Sequence, residues 1–154
     1  ARLLPAEVEA VLAHELGHFH HKHVLHRMLM IFALSLLGLV LLGWLANQPG
    51  FYFGLGVTPH LSGAAPNHAL ALLLFMMASP PFMFFIAPLI ARSSRKAEFE
   101  ADAYACAQTN GIDLSSALLK LYEDNASTLT PDPLYVRFYY SHPPASERLA
   151  ALPR

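Results

Sequence analysis

Residues 28 to 46 read MLMIFALSLLGLVLLGWLA, with no charged side chain. A helix rises about 1.5 Å per residue, so a run of this length matches a bilayer core of about 30 Å. Trp44 falls near its end, where aromatic side chains favour the membrane–water boundary. A buried core helix is the competing reading, but a second such run follows. Residues 69 to 91 are also charge-free and end in FMFFIAPLIA. From Met28 to Ala91 there is no Asp, Glu, Lys or Arg. All 21 charged residues, 10 basic and 11 acidic, lie outside that stretch. The expected architecture is therefore all-α and membrane-embedded, with a two-span transmembrane helical hairpin.

The flanks orient the hairpin. Lys22 and Arg27 precede the first span, Arg92, Arg95 and Lys96 follow the second, and the connecting loop has no Lys or Arg. By the positive-inside rule both ends face the cytoplasm, in a multi-pass protein whose chemistry lies on that side. Net charge is −1, so nucleic acid is not an expected partner; the lipid bilayer is. One cysteine, Cys106, excludes a disulfide framework and reads as a small packed residue. The chain opens on Ala1, just ahead of a motif and without a signal-peptide pattern. It is expected to be a piece of a longer protein.

The expected order within a single catalytic unit, 1–154, is a helix over 5–25, a span over 28–46, a loop over 47–68, a span over 69–91 kinked or broken at Pro80 and Pro81, a polar helix over 93–110, and a helical segment over 112–154. In the last, TPDPLY (130–135) reads as a loop and 144–152 as a short helix.

The chemistry begins in AVLAHELGHFHHKHVLHRM, 10 to 28. Residues four apart on a helix stand about 40° apart around its axis, so His14 and His18 project from one face and can reach one zinc. Glu15 stands about 100° from His14, placed to take a proton from a water the metal has acidified. His-Glu-x-x-His at this spacing suits peptide hydrolysis. A catalytic zinc usually takes three protein ligands. The position six after His18 is Val24, and His21 lies about 10 Å along the axis from His14, so the third ligand must come from elsewhere.

SRKAEFEADAYA, 94 to 105, offers it. Glu98 and Asp102 share a helical face: Glu98 suits the metal, and Asp102 suits the outer ring nitrogen of a ligating histidine. An exposed acidic face is the plain alternative. Glu100 points elsewhere and reads as a solvated charge. In FYYSHPPASERLAAL, 138 to 152, His142 is held by two prolines and suits an oxyanion. Arg148 suits a substrate carbonyl or the orientation of His142. His20, His21, His23 and His26 read as a polar or interfacial helix end rather than a second metal site. Phe75, Phe82, Phe84 and Phe85 read as span packing or lipid-facing.

AVLAHELGH, SRKAEFEADAYA, PDPLY and YSHPPASERLAAL together resemble the catalytic part of the type I CAAX prenyl proteases, integral-membrane zinc metallopeptidases, over about residues 6 to 152. The resemblance implies a gluzincin-like centre: one Zn2+ per chain on His14, His18 and Glu98, with Glu15 catalytic, Asp102 behind the ligands, and His142 and Arg148 in support. It implies endopeptidase activity on a peptide or protein substrate, of membrane-associated or prenylated kind. A zinc sensor or transporter fragment is the rival reading. The spans oppose it, since Ser35 and Ser79 are their only polar side chains.

Overall fold

The computed structural model describes residues 3–58, 67–124 and 131–152. Among these residues there are seven helices and no strand: α1 (Pro5–His20), α2 (His23–Leu45), α3 (Pro49–Gly54), α4 (His68–Gln108), α5 (Gly111–Asp124), α6 (Pro133–Tyr139) and α7 (Ala145–Ala151). They form two compact units, one of the chain up to His26 and from Ile86 onward, the other from Arg27 to Phe85.

In the first unit, α1 packs through small residues. Ala10 and Ala13 join Ala105, Leu114, Leu118 and Leu152 in one apolar cluster. A Cβ on Gly17 would stand 3.0 Å from the Cα and carbonyl oxygen of Ala101, so a larger residue would force the α4 backbone to give and glycine suits this close approach of α1 to α4. Glu7 ties α1 to α5. Lys120 Nζ donates to both of its carboxylate oxygens at 2.6 and 2.7 Å, and Ser116 Oγ donates at 2.6 Å. The Leu4 amide, which has no partner within the helix, donates to it at 2.7 Å. These bonds, the one from Lys120 foremost, lower the Glu7 pKa from 4.5 to about 2. Arg95 closes the other side of the unit. Its guanidinium donates to the carbonyls of Val136 and Tyr140 at 3.0 and 2.6 Å, at the C-terminal end of α6, where the Val136 carbonyl also accepts from the Tyr140 amide.

Several boundaries differ from the sequence reading. The first helix ends at His20, not residue 25, because Lys22 takes a left-handed φ of 55° and turns the chain before α2 begins at His23. The span over 69–91 and the polar helix over 93–110 are one uninterrupted helix, α4. Pro80 has no N–H for the Met76 carbonyl, and the Ser79 hydroxyl donates to that oxygen instead, at 3.2 Å. The stretch read as a loop at 130–135 enters α6, with Asp132 as N-cap accepting from the Tyr135 amide at 2.9 Å and Pro133 in the first turn. Residues 125–130, in the middle of the expected 112–154 segment, lie outside the described residues.

In the second unit, the loop expected over 47–68 contains α3, and residues 59–66 of it lie outside the described residues. Tyr52 of α3 joins Ala46, Ala71 and Leu74 in a small core, and its hydroxyl donates to the Ala46 carbonyl at 2.9 Å. Asn67 caps α4 by accepting from the Leu70 amide at 3.0 Å. Neither α2 nor the apolar half of α4 gains much shelter in this way. From Val24 to Leu45 α2 has no buried residue, and both helices are long and apolar enough to cross a membrane. A core helix of a soluble domain would be covered on at least one face. Apolar surface exposed all round suits lipid as its solvent.

Candidate metal centre

α1 and the polar half of α4 bring three ligand-type side chains together. His14 and His18 lie one turn apart, and Glu98 faces them from α4. The two Nε2 atoms are 3.2 Å apart; His14 Nε2 lies 3.6 Å from Glu98 Oε2, and His18 Nε2 lies 3.6 Å from the other oxygen, Oε1. Zinc–ligand bonds of about 2.0–2.1 Å in a tetrahedral set put neighbouring ligand atoms about 3.3 Å apart. Two histidine nitrogens and a carboxylate, with ligand atoms within 4.8 Å of one another, are a donor set that would hold a zinc ion. His14 and Glu98 are buried and His18 is partly so. Burial holds His18 below the ordinary histidine pKa, despite the opposing charge of Glu98. The neutral ring, the form with a lone pair to give, is thus favoured.

Behind His14 stands Asp102, whose Oδ1 lies 2.9 Å from His14 Nδ1. The Nδ1–H therefore donates to the carboxylate, and the Nε2 lone pair faces Glu98 and His18. Asp102 is in turn held by Arg148, whose Nε donates at 2.8 Å and whose Nη2 completes a two-pronged pair. Arg148 Nη1 is 3.4 Å from Glu98 Oε2. Burial disfavours its charge, but the Asp102 hydrogen bonds win and raise its pKa. Arg148 is 6% exposed and its donors point at Asp102 and Glu98. The structure thus places it under the acidic pair, rather than on His142 or in reach of a substrate carbonyl, the two roles expected from the sequence.

His142 stands at the mouth. Its ring is 65% exposed, with Nε2 3.4 Å from Glu98 Oε1. Ser141 Oγ lies 3.0 Å from Nδ1. With the hydroxyl donating there, Nε2 carries the hydrogen, on the side where Glu98 Oε1 lies. Glu15 is exposed on the turn of α1 between the two histidines. The seven residues singled out in the sequence all fall in or beside this one cluster.

Two residues assigned elsewhere belong to it as well. His23 Nδ1 lies 3.0 Å from His18 Nδ1, and His23 Nε2 lies 3.0 Å from Glu100 Oε2. Glu100 also pairs with Lys96 at 3.3 Å. Neither the solvated-charge reading of Glu100 nor the helix-end reading of His23 describes them. On an unbroken helix His23 would point about 140° away from His18; the turn at Lys22 redirects it. No feature of the sequence marks that turn, since lysine has no preference for positive φ.

Comparison with known proteins places the chain in context. The model of peptidase family M48 matches residues 2–154. Over 148 residues the chain is 34% identical to a CAAX prenyl protease 1 homolog of Arabidopsis thaliana, covering 95% of this chain and 33% of that protein. It is 36% identical over 146 residues to the CAAX prenyl protease 1 homolog of Taenia solium, covering 95% and 30%. Among solved structures it is similar to the crystal structure of S. mikatae Ste24p, with 30% identity, a TM-score of 0.80, and coverage of 96% of this chain and 35% of that one. The chain spans about a third of the length of the curated relatives it matches.

Proposed function

The chain belongs to peptidase family M48, and from that premise we propose that it is the catalytic part of a zinc-dependent membrane endopeptidase. The observation that carries this reading is the convergence of ligand atoms from His14, His18 and Glu98, within 4.8 Å of one another, with Glu15 on the intervening turn. Zinc held there supplies Lewis acidity, acidifying a water and polarising a peptide carbonyl.

The chain's own side chains do the rest. His14 is fixed in one tautomer by Asp102, and Asp102 by Arg148. Glu15 accepts a proton from the attacking water on a carboxylate oxygen and passes it to the departing amine nitrogen. His142, with its hydrogen on Nε2, donates to the oxygen that gains charge as the carbonyl carbon becomes tetrahedral. Arg148 is a positioning residue: its charge offsets that of two buried carboxylates.

The names of the relatives suggest the substrate class, a protein or peptide with a prenylated, membrane-associated C-terminus. The apolar α2 and α4, with basic residues on both outer flanks of the hairpin, support a multi-pass protein with this site on the cytoplasmic side.

Glu15→Gln in the intact protein tests the reading. The amide keeps the size of the side chain and cannot take the proton. Bound zinc should stay at one per chain, while hydrolysis of a prenylated peptide falls about 10²- to 10⁴-fold. Zinc retained with hydrolysis unchanged would remove Glu15 from the mechanism. Zinc bound in a parent protein that hydrolyses no peptide would favour a metal-binding membrane module.

A further inference from the structure

The two histidines of the cluster are supported differently. Asp102 holds His14 from behind. Among the described residues no carboxylate contacts the Nδ1 side of His18; His23 stands there, with Glu100 behind it. We propose that His23 is the positioning residue for His18, forming with Glu100 a hydrogen-bonded chain that fixes the tautomer and plane of that ring. The inference rests on the reading of His14, His18 and Glu98 as a metal site.

The argument is one of hydrogen-atom placement. For His18 Nε2 to offer a lone pair, the hydrogen of the neutral ring must sit on Nδ1. That Nδ1–H then needs an acceptor, and the atom 3.0 Å away is His23 Nδ1. His23 can accept there only if its own hydrogen is on Nε2. Its Nε2 lies 3.0 Å from Glu100 Oε2, a carboxylate oxygen that accepts and cannot donate when ionised. One assignment therefore satisfies every contact: Glu100 accepts from His23, and His23 accepts from His18. The opposite tautomer of His23 would set two N–H groups against each other. The His23 side chain is 9% exposed, so water has little room to replace it.

The geometry depends on the turn that ends α1. Lys22, at φ 55°, reverses the direction in which residue 23 projects. A residue five positions after His18 is thereby brought back beside it. The left-handed conformation of a non-glycine residue carries strain, and such strain is commonly held where it serves a site.

The test measures zinc affinity of the intact protein by competition with a chromophoric chelator, together with the d–d absorption of the cobalt(II)-substituted form. His23→Leu removes the acceptor and keeps the bulk. It should weaken zinc about 10- to 100-fold, the usual effect of losing a partner behind a ligand, and alter the cobalt bands. His23→Asn retains an acceptor oxygen near the position of Nδ1 and should restore most of the affinity and the parent spectrum. Thermal unfolding of the metal-free forms should agree between the two variants, which separates ligand orientation from folding. Affinity unchanged in His23→Leu overturns the proposal; so does His23→Asn as weak as His23→Leu. If His23→Leu does not fold, Glu100→Ala carries the test: a loss of about tenfold supports the chain and no loss overturns it. His14→Ala is the control. If it binds zinc like the parent, the metal assignment itself fails and this inference with it. If it loses zinc while His23→Leu does not, the inference alone fails.

Discussion

Asp102 is buried, ionised and bonded on two sides, to His14 and to Arg148. Asp102→Ala removes the acceptor that fixes His14 and leaves Arg148 facing Glu98 alone. Zinc affinity should fall about 10- to 100-fold, measured by chelator competition, with the helical content of the protein kept. An unchanged affinity would return Asp102 to the role of a structural partner for Arg148. At this scale the sequence was informative wherever a site depends on regular helix spacing. His14 with His18, and Glu98 with Asp102, each lie four residues apart within one helix, and both pairs face the same point. His23 and Glu100 were not legible, because their meeting depends on the irregular backbone at Lys22. The role of Arg148 was legible only in part. Its presence at the site followed from the motif, but its target is set by α7 packing it under Asp102.

At the scale of elements, Glu7 is the clearest stabilising device outside the site. It is 2% exposed and bonded to Lys120, Ser116 and the Leu4 amide. Its pKa in the folded chain, about 2, is below its ordinary 4.5, so ionised Glu7 favours the fold. That contribution is complete above about pH 4.5 and is lost as pH falls through about 2. Glu7→Gln should therefore lower the melting temperature at neutral pH, and the gap to the parent should close as pH falls across that window. The measurement is thermal unfolding of the metal-free protein, so that protonation of the zinc ligands does not dominate. A gap that stays constant with pH would mean that the carboxylate charge is not what matters. The Lys120 partner of Glu7, 113 residues away, is invisible to a local reading of the sequence. The proline pair misled for a related reason. Pro80 and Pro81 signal a break when only the lost N–H is counted, and Ser79 supplies the missing donor. Asp132–Pro133 was a readable N-cap and first turn, overshadowed by the neighbouring prolines.

At the scale of the whole molecule, the exposed apolar helices give a direct test. Leu37 lies near the middle of the first span and is 64% exposed. If lipid is its solvent, Leu37→Arg should cost about 3 kcal/mol of insertion free energy at the centre of the helix. Resistance to carbonate extraction from membranes should drop accordingly. On a water-facing helix the same change would leave fractionation unaltered. The charge-free stretch made this organisation the most legible feature of the sequence, since it depends on composition rather than on any single contact. Arg148, buried beneath Asp102 and Glu98, has a consequence for the order of events during synthesis. A nascent chain presents the two histidines early and the two acids some 80 residues later, but until α7 emerges those acids have no cation to share their burial. The ligand cluster is completed only when the segment carrying Arg148, 50 residues beyond Glu98, has been made. A chain truncated short of Arg148 holds all three ligand-type side chains and lacks the cation that shares their burial.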